Sequence, residues 1–199
     1  MSTSSNAPPL ATPAASHALP GDLAMWIFIL AELAAFTLFI IAFSVTQMLY
    51  PQLFQAGRAA LDPSTGFAMT VGLLTSGFLA ALAVERVRVN QARQAAMLLV
   101  AAIVSAMVYV VLKISEYTHL AQAGFDLEYN MFFTLYWLLT LFHFLHVWLG
   151  LLVLAFLAWR CWRLGFSADK RSGMESGVMY WHMIDLAWVI IFPLVYLLG

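Results

Sequence analysis

Five long apolar runs, separated by short polar stretches, decide what this chain can fold into. They are read at about Leu23–Gln47, Phe67–Val84, Ala95–Tyr117, Asn130–Trp159 and Gly177–Leu198. Crossing a bilayer as a helix takes roughly 20 such residues. Inside lipid a chain must satisfy its own backbone hydrogen bonds, so runs of this length cross as helices. The sequence therefore predicts an all-α fold, a bundle of five transmembrane helices. Composition agrees: 10% of the residues are charged, against about 25% in a soluble domain. The fourth run exceeds what a span needs, so it is expected to tilt or project.

The intervening segments set organisation and orientation. Residues 1–21 contain no Lys, Arg, Asp or Glu and are rich in Ser, Thr, Ala and Pro. They read as a disordered tail before one membrane domain, residues 22–199. The tail lacks a basic n-region and the apolar run after it is too long for a signal peptide, so the first helix is expected to remain in the membrane. Asp22 suits its N-cap. Gln52–Gly66 reads as a loop with some helical content. With five spans, the tail and the connections Glu85–Arg93 and Arg160–Gly173 share one side. That side carries Arg86, Arg88, Arg93, Arg160, Arg163, Lys170 and Arg171; the other has Arg58, with Lys113 near the edge of span three. The bias predicts a cytoplasmic N-terminus and an outside C-terminus. A net charge of −1 gives no basis for a nucleic-acid partner, and the single Cys161 precludes an internal disulfide or a CxxC motif.

Ionisable residues within spans are candidate functional positions by default. Glu32 sits about 14 Å into the first run at helical rise, as a proton-linked carboxyl or a neutral acid bonded to a neighbouring helix. Lys113 and Glu116 lie three apart, which places them on one helix face. The pair reads as interfacial, with Lys113 snorkelling to water; the alternative is that Glu116 caps a polar cluster with another helix. His143 and His146, and His182 and Asp185, form two further pairs at the same spacing. HxxH facing HxxD could hold a metal or haem. The surrounding Phe, Trp and Leu favour buried interhelical hydrogen bonds instead, each worth about 0.6–2 kcal/mol in a bilayer. Gly72-x-x-x-Ser76 and Gly77-x-x-x-Ala81 are small-residue packing patterns. No phosphate loop, CxxCH, HExxH or nucleophile–base motif is present, which argues against a self-contained enzyme.

Four motifs in order give the chain a family resemblance. Tyr180-Trp181-His182-Met183-Ile184-Asp185-Leu186-Ala187-Trp188 resembles the terminal helix of heme–copper oxidase (cytochrome c oxidase) subunit III. Phe142-His143-Phe144-Leu145-His146-Val147-Trp148-Leu149-Gly150 resembles that family's histidine-bearing helix, and Ser115-Glu116-Tyr117 its SEY motif. Glu32 falls on its carbodiimide-reactive glutamate, although Ala31 replaces the usual preceding serine. Longer members have seven spans, and this chain is similar to five-span members that lack the first two. Leu19-Pro20-Gly21-Asp22-Leu23-Ala24-Met25-Trp26 and Phe132–Thr140 look most like the nitric-oxide-reductase-associated subgroup.

The resemblance implies a noncatalytic accessory subunit in a bacterial inner membrane, in contact with phospholipid. It implies no haem or metal in this chain, those belonging to a partner: the catalytic subunit of a heme–copper oxidase or nitric oxide reductase. Its expected role is support of complex stability and proton uptake. Glu32 would be a proton-linked or interface carboxyl. His143, His146, His182, Asp185, Glu116 and Glu175 would form a buried polar network holding the helices in register. Two alternatives stand beside it: a subunit III of a cytochrome c or quinol oxidase directly required for turnover, and a stand-alone metal- or haem-binding membrane protein.

Overall fold

A computed structural model describes residues 23–163 and 172–198. These residues form α1 (Leu23–Leu49), α2 (Pro51–Arg58), α3 (Pro63–Arg88), α4 (Ala92–Gln122), α5 (Met131–Arg163) and α6 (Ser172–Phe192), the last continuing into a π-helical turn, Pro193–Leu197. Five of the helices are long and apolar enough to cross a membrane. The proposed tail, Asp22 as cap, and Lys170 and Arg171 lie outside the described residues.

Local chemistry sets the helix ends. Asp62 caps α3, accepting from the Ser64 and Thr65 backbone N–H groups, and Pro63 occupies the first helical position, where its missing N–H costs nothing. Asn130 caps α5 by accepting from Phe133 N at 3.0 Å. The α3–α4 turn is closed by Asn90 at φ 59°, with Gln91 N donating to Arg86 O at 2.8 Å and Asn90 N to Val87 O at 3.0 Å. Those are the paired bonds of a Schellman stop, which needs a residue that tolerates the left-handed region. Gly124 at φ 78° fills the same role after α4. The polar linker after span one contains the eight-residue α2, with Phe54 fully buried against Phe43 and Phe132.

Helices α3, α4, α5 and α6 pack as a closed ring, α3 against α4 most extensively, and α1 lies outside it against α5 and α6. Contacts such as Arg88–Glu175 and Arg93–Trp162 place the ends of α3 and α5 and the starts of α4 and α6 together. This is called the basic end below, and the opposite one the far end. At the far end Gln47 Nε2 donates to Leu198 O at 2.8 Å, tying α1 to the end of α6. The core is aromatic: Trp181, Trp188, Tyr109, Tyr136, Phe36 and Phe43 are all essentially inaccessible. Glycine admits two close approaches. At Gly150 an added Cβ would lie 2.6 Å from the Trp181 ring, and at Gly77 it would overlap the Asp185 carboxylate.

Candidate functional site: ionisable groups within the bundle

Going from the far end inward, the first group is Lys113 with Glu116 on α4. Lys113 Nζ lies 2.6 Å from Glu116 Oε1. It also donates to Tyr136 OH on α5 at 3.0 Å and to Tyr196 OH, carried by the turn after α6, at 3.1 Å. Tyr196 donates to the Glu116 carboxylate at 2.8 Å, and Tyr136 bonds the same oxygen. The ammonium faces the rings of Tyr117, Tyr136, Trp188 and Tyr196, at 4.8–5.6 Å from their centroids. Lys113 is wholly buried, so the expectation that it snorkels to water is incorrect. Three hydrogen-bond acceptors and an aromatic cage, from α4 itself and from the elements packed on it, replace the water it would have sought. Glu116 alone reaches outward, lining a cavity of about 360 Å³ with Asp62, Thr65, Ser115 and His119.

One turn further in, His143 is fully buried on α5 and both of its ring nitrogens lack a hydrogen-bond partner among the described residues. It stacks on Trp188, with centroids 5.1 Å apart, and meets Tyr109 edge-on. The interhelical hydrogen bond expected of His143 is therefore replaced by ring packing. Trp188 Nε1 instead donates to Thr70 Oγ1 on α3 at 3.0 Å. Tyr109 OH, Ser76 Oγ and Asp185 Oδ1 are likewise buried and unpaired among the described residues; they bring one polar atom each from α4, α3 and α6 to the interior.

Glu32 and His146 meet between α1 and α5. His146 Nε2 lies 2.9 Å from Glu32 Oε2, and His146 Nδ1 lies 2.7 Å from the Phe142 carbonyl one turn back. A carbonyl only accepts, so Nδ1 carries a proton. The Nε2–carboxyl contact then holds one proton, on the acid as a neutral pair or on the imidazole as an ion pair. Phe36 and Phe142 pack on the His146 ring, and the two side chains are 12% and 22% exposed.

His182 and Asp185 lie towards the basic end of α6, with His182 Nδ1 3.6 Å from Asp185 Oδ2. Asp185 is buried against Gly77 of α3, while the His182 side chain is 45% exposed. Glu175, one turn into α6, lies 3.4 Å from Arg88 at the end of α3. The structure thus groups the singled-out residues as Lys113–Glu116, Glu32–His146, His182–Asp185 and Arg88–Glu175. No three His, Cys, Asp or Glu side chains converge as a metal-binding group among the described residues. Tyr136, Tyr196, Thr70 and Gly77 were not recognised as partners. Tyrosines within apolar runs were the available signal, since a buried hydroxyl needs a partner.

Fold and site together define a polytopic helical membrane protein whose in-span ionisable groups are mostly consumed in contacts between its own helices. The pattern described as cytochrome c oxidase subunit III matches residues 12–199, and the chain belongs to that family. A Synechocystis protein named cytochrome c oxidase subunit 3 is 30% identical over 94% of this chain and 82% of its own length. A Thermostichus vulcanus protein of the same name is 38% identical over 38% of this chain and 38% of its own length. A protein of Aeropyrum pernix named heme-copper oxidase subunit I+III is 27% identical over 87% of this chain and 22% of its own length. Quinol oxidase subunits 3 are among the other relatives.

Proposed function

We propose that this chain is a noncatalytic subunit of a respiratory heme–copper oxidase or a nitric oxide reductase, supporting the stability of the complex and proton uptake by the catalytic subunit. The observation that carries the reading is the placement of its ionisable groups. Glu32 and His146 pair between α1 and α5, Arg88 and Glu175 between α3 and α6, and tyrosines from α5 and the turn after α6 close on the Lys113–Glu116 pair of α4. The Aeropyrum relative supports a neighbouring catalytic subunit, because its name joins subunit I and subunit III. The bacterial inner membrane and the cytoplasmic placement of the basic end rest on family membership and on the Lys/Arg bias. Haem and metal belong, in this reading, to the partner. Association with a nitric oxide reductase rests on the motifs quoted from the sequence.

Purification of the tagged chain from its native membrane tests the assignment. A haem-bearing catalytic subunit should accompany it, and its electron acceptor names the complex. An intrinsic Soret band or stoichiometric metal in the separated chain would overturn the reading in favour of a cofactor protein. Glu32→Gln should leave the complex assembled and shorten sustained turnover of the partner, because an amide cannot exchange the proton that the Glu32–His146 contact holds. Loss of the complex in that variant would make Glu32 structural.

A further inference from the structure

Exposure within the membrane separates one face of the bundle from the others. The outward residues of α4 include Val100, Val104, Val111 and Ile114, and those of α5 include Leu141, Leu145, Leu149 and Leu152. These stripes are apolar and match acyl chains. The face shared by α3 and α6 differs. Its exposed apolar residues, Leu74, Phe78, Leu186 and Ile190, share it with an imidazole that is 45% exposed. His182 lies seven residues beyond Glu175, about 10 Å further along the helix at 1.5 Å per residue. Of the in-span pairs described, the others keep their side chains at 22% exposure or less.

The imidazole stands in front of the Asp185 carboxylate, 3.6 Å away. Asp185 Oδ2 faces Nδ1, and Gly77 leaves the space in which that carboxylate sits. Nε2 makes no hydrogen bond to the described residues. Each nitrogen of an imidazole either donates or accepts, so the exposed ring edge is a hydrogen-bonding group. Hydrocarbon offers such a group nothing. Beside it lies a groove of about 250 Å³ lined by Ala81, Val84, Val178, Met179, Arg88 and Glu175. The face therefore combines an apolar groove, an exposed polar ring within the apolar span and a charged pair at the basic end.

We infer that the α3–α6 face, centred on His182, is where this chain docks on the catalytic subunit, and that the occupant is a transmembrane helix with a hydrogen-bonding side chain at the depth of His182. The inference rests on the proposed membership of an oxidase or reductase complex. A phospholipid fits less well. It would bring its polar atoms to Arg88 and Glu175 and only acyl carbon to the imidazole. Packing a helix here also covers Leu74, Phe78 and Leu186, whereas docking through α4 or α5 would leave His182 facing lipid.

The test uses the full complex in native membranes. A photo-activatable benzoylphenylalanine is placed at Leu74 or Leu186 on the proposed face, and at Val104 or Leu145 on the lipid-matched faces. Crosslinks to the haem-bearing subunit are expected from the first two positions and not from the second two. His182→Leu should lower retention of that subunit about thirtyfold, the scale of one interface hot spot, with unchanged levels of the chain in the membrane. His182→Gln, which keeps a hydrogen-bonding group, should recover part of the retention. Crosslinks only to lipid or to a second copy from Leu74 and Leu186, or to the haem-bearing subunit only from Val104 or Leu145, would overturn the docking face while leaving the proposed function standing. Failure of any haem-bearing subunit to accompany the unmodified chain would instead remove the functional reading, and this inference with it.

Discussion

Lys113–Glu116 and His182–Asp185 are the same arrangement in sequence, two ionisable side chains three residues apart on a spanning helix, and the bundle treats them oppositely. The first pair is closed. Lys113 is wholly buried, and two tyrosines from α5 and the end of α6 complete its coordination. The second is open. Asp185 is buried with one oxygen unpaired, and His182 is nearly half exposed. Spacing along a helix fixes which face a pair occupies. Whether it becomes an internal lock or an outward contact depends on the hydroxyls that other helices bring to the same depth.

The largest test of that contrast removes the ammonium from the closed pair. Lys113→Met leaves the Glu116 carboxylate and two tyrosine hydroxyls without their cation. Removing one partner of a buried ion pair costs about 3–5 kcal/mol. Denaturant or SDS titration of the isolated chain should show a loss of that order. The double variant Lys113→Met/Glu116→Gln should recover much of it, since no uncompensated charge remains. By contrast, His182→Leu in the isolated chain should change stability by less than about 1 kcal/mol, near the average for a polar contact between membrane helices. Equal losses for the two single variants would erase the distinction between closed and open.

Gly77→Ala probes the open pair from behind. An added Cβ would overlap the Asp185 carboxylate, so Asp185 must turn or α3 and α6 must part. Overpacking of this kind costs about 1–3 kcal/mol. The same titration reads the loss, and crosslinking from Leu186 reads whether His182 has moved with its support. A variant as stable as the parent would show that Asp185 is not seated against α3.

The bundle was largely legible because a bilayer leaves a helix few alternatives: apolar length gives the spans, and turn residues such as Asn90, Gly124 and Asp62–Pro63 end or start helices by local rules. Helices nevertheless run past the apolar runs, α4 to Gln122 and α5 to Arg163, because interfacial polar residues continue a helix without cost in water. The site was legible only in halves. Glu32 and His146 were each visible as ionisable residues in a span, but their contact joins positions 114 residues apart and depends on the register of α1 against α5. Lys113 was misread for the same reason. Its nearest sequence partner was identified, while Tyr136 and Tyr196 reach it only through tertiary packing. Gly77 read as a general packing residue because nothing local shows that a carboxylate from α6 fills the space beside it.

Asp62 gives the smallest effect and a control at the same end of the molecule as the closed pair. It shares the far-end cavity with Glu116 but is fully exposed, and its partners are local. Hydrogen bonds from the Thr65 hydroxyl, and then from the Ser64 side chain and backbone, hold its carboxyl at about 2, below the ordinary value of 3.8. A depressed folded-state value means that the cap contributes fully above the unfolded value and loses its contribution as pH falls through the folded one. Parent and Asp62→Ala should therefore differ by a small, constant amount from neutral pH down to about 4, and converge as pH falls towards 2. Hydrogen exchange of the first turn of α3 measures this directly. A difference that grew on acidification would mean that Asp62 stabilises the helix through a neutral acid, and that the contrast between exposed local caps and buried tertiary clusters does not hold at this end of the bundle.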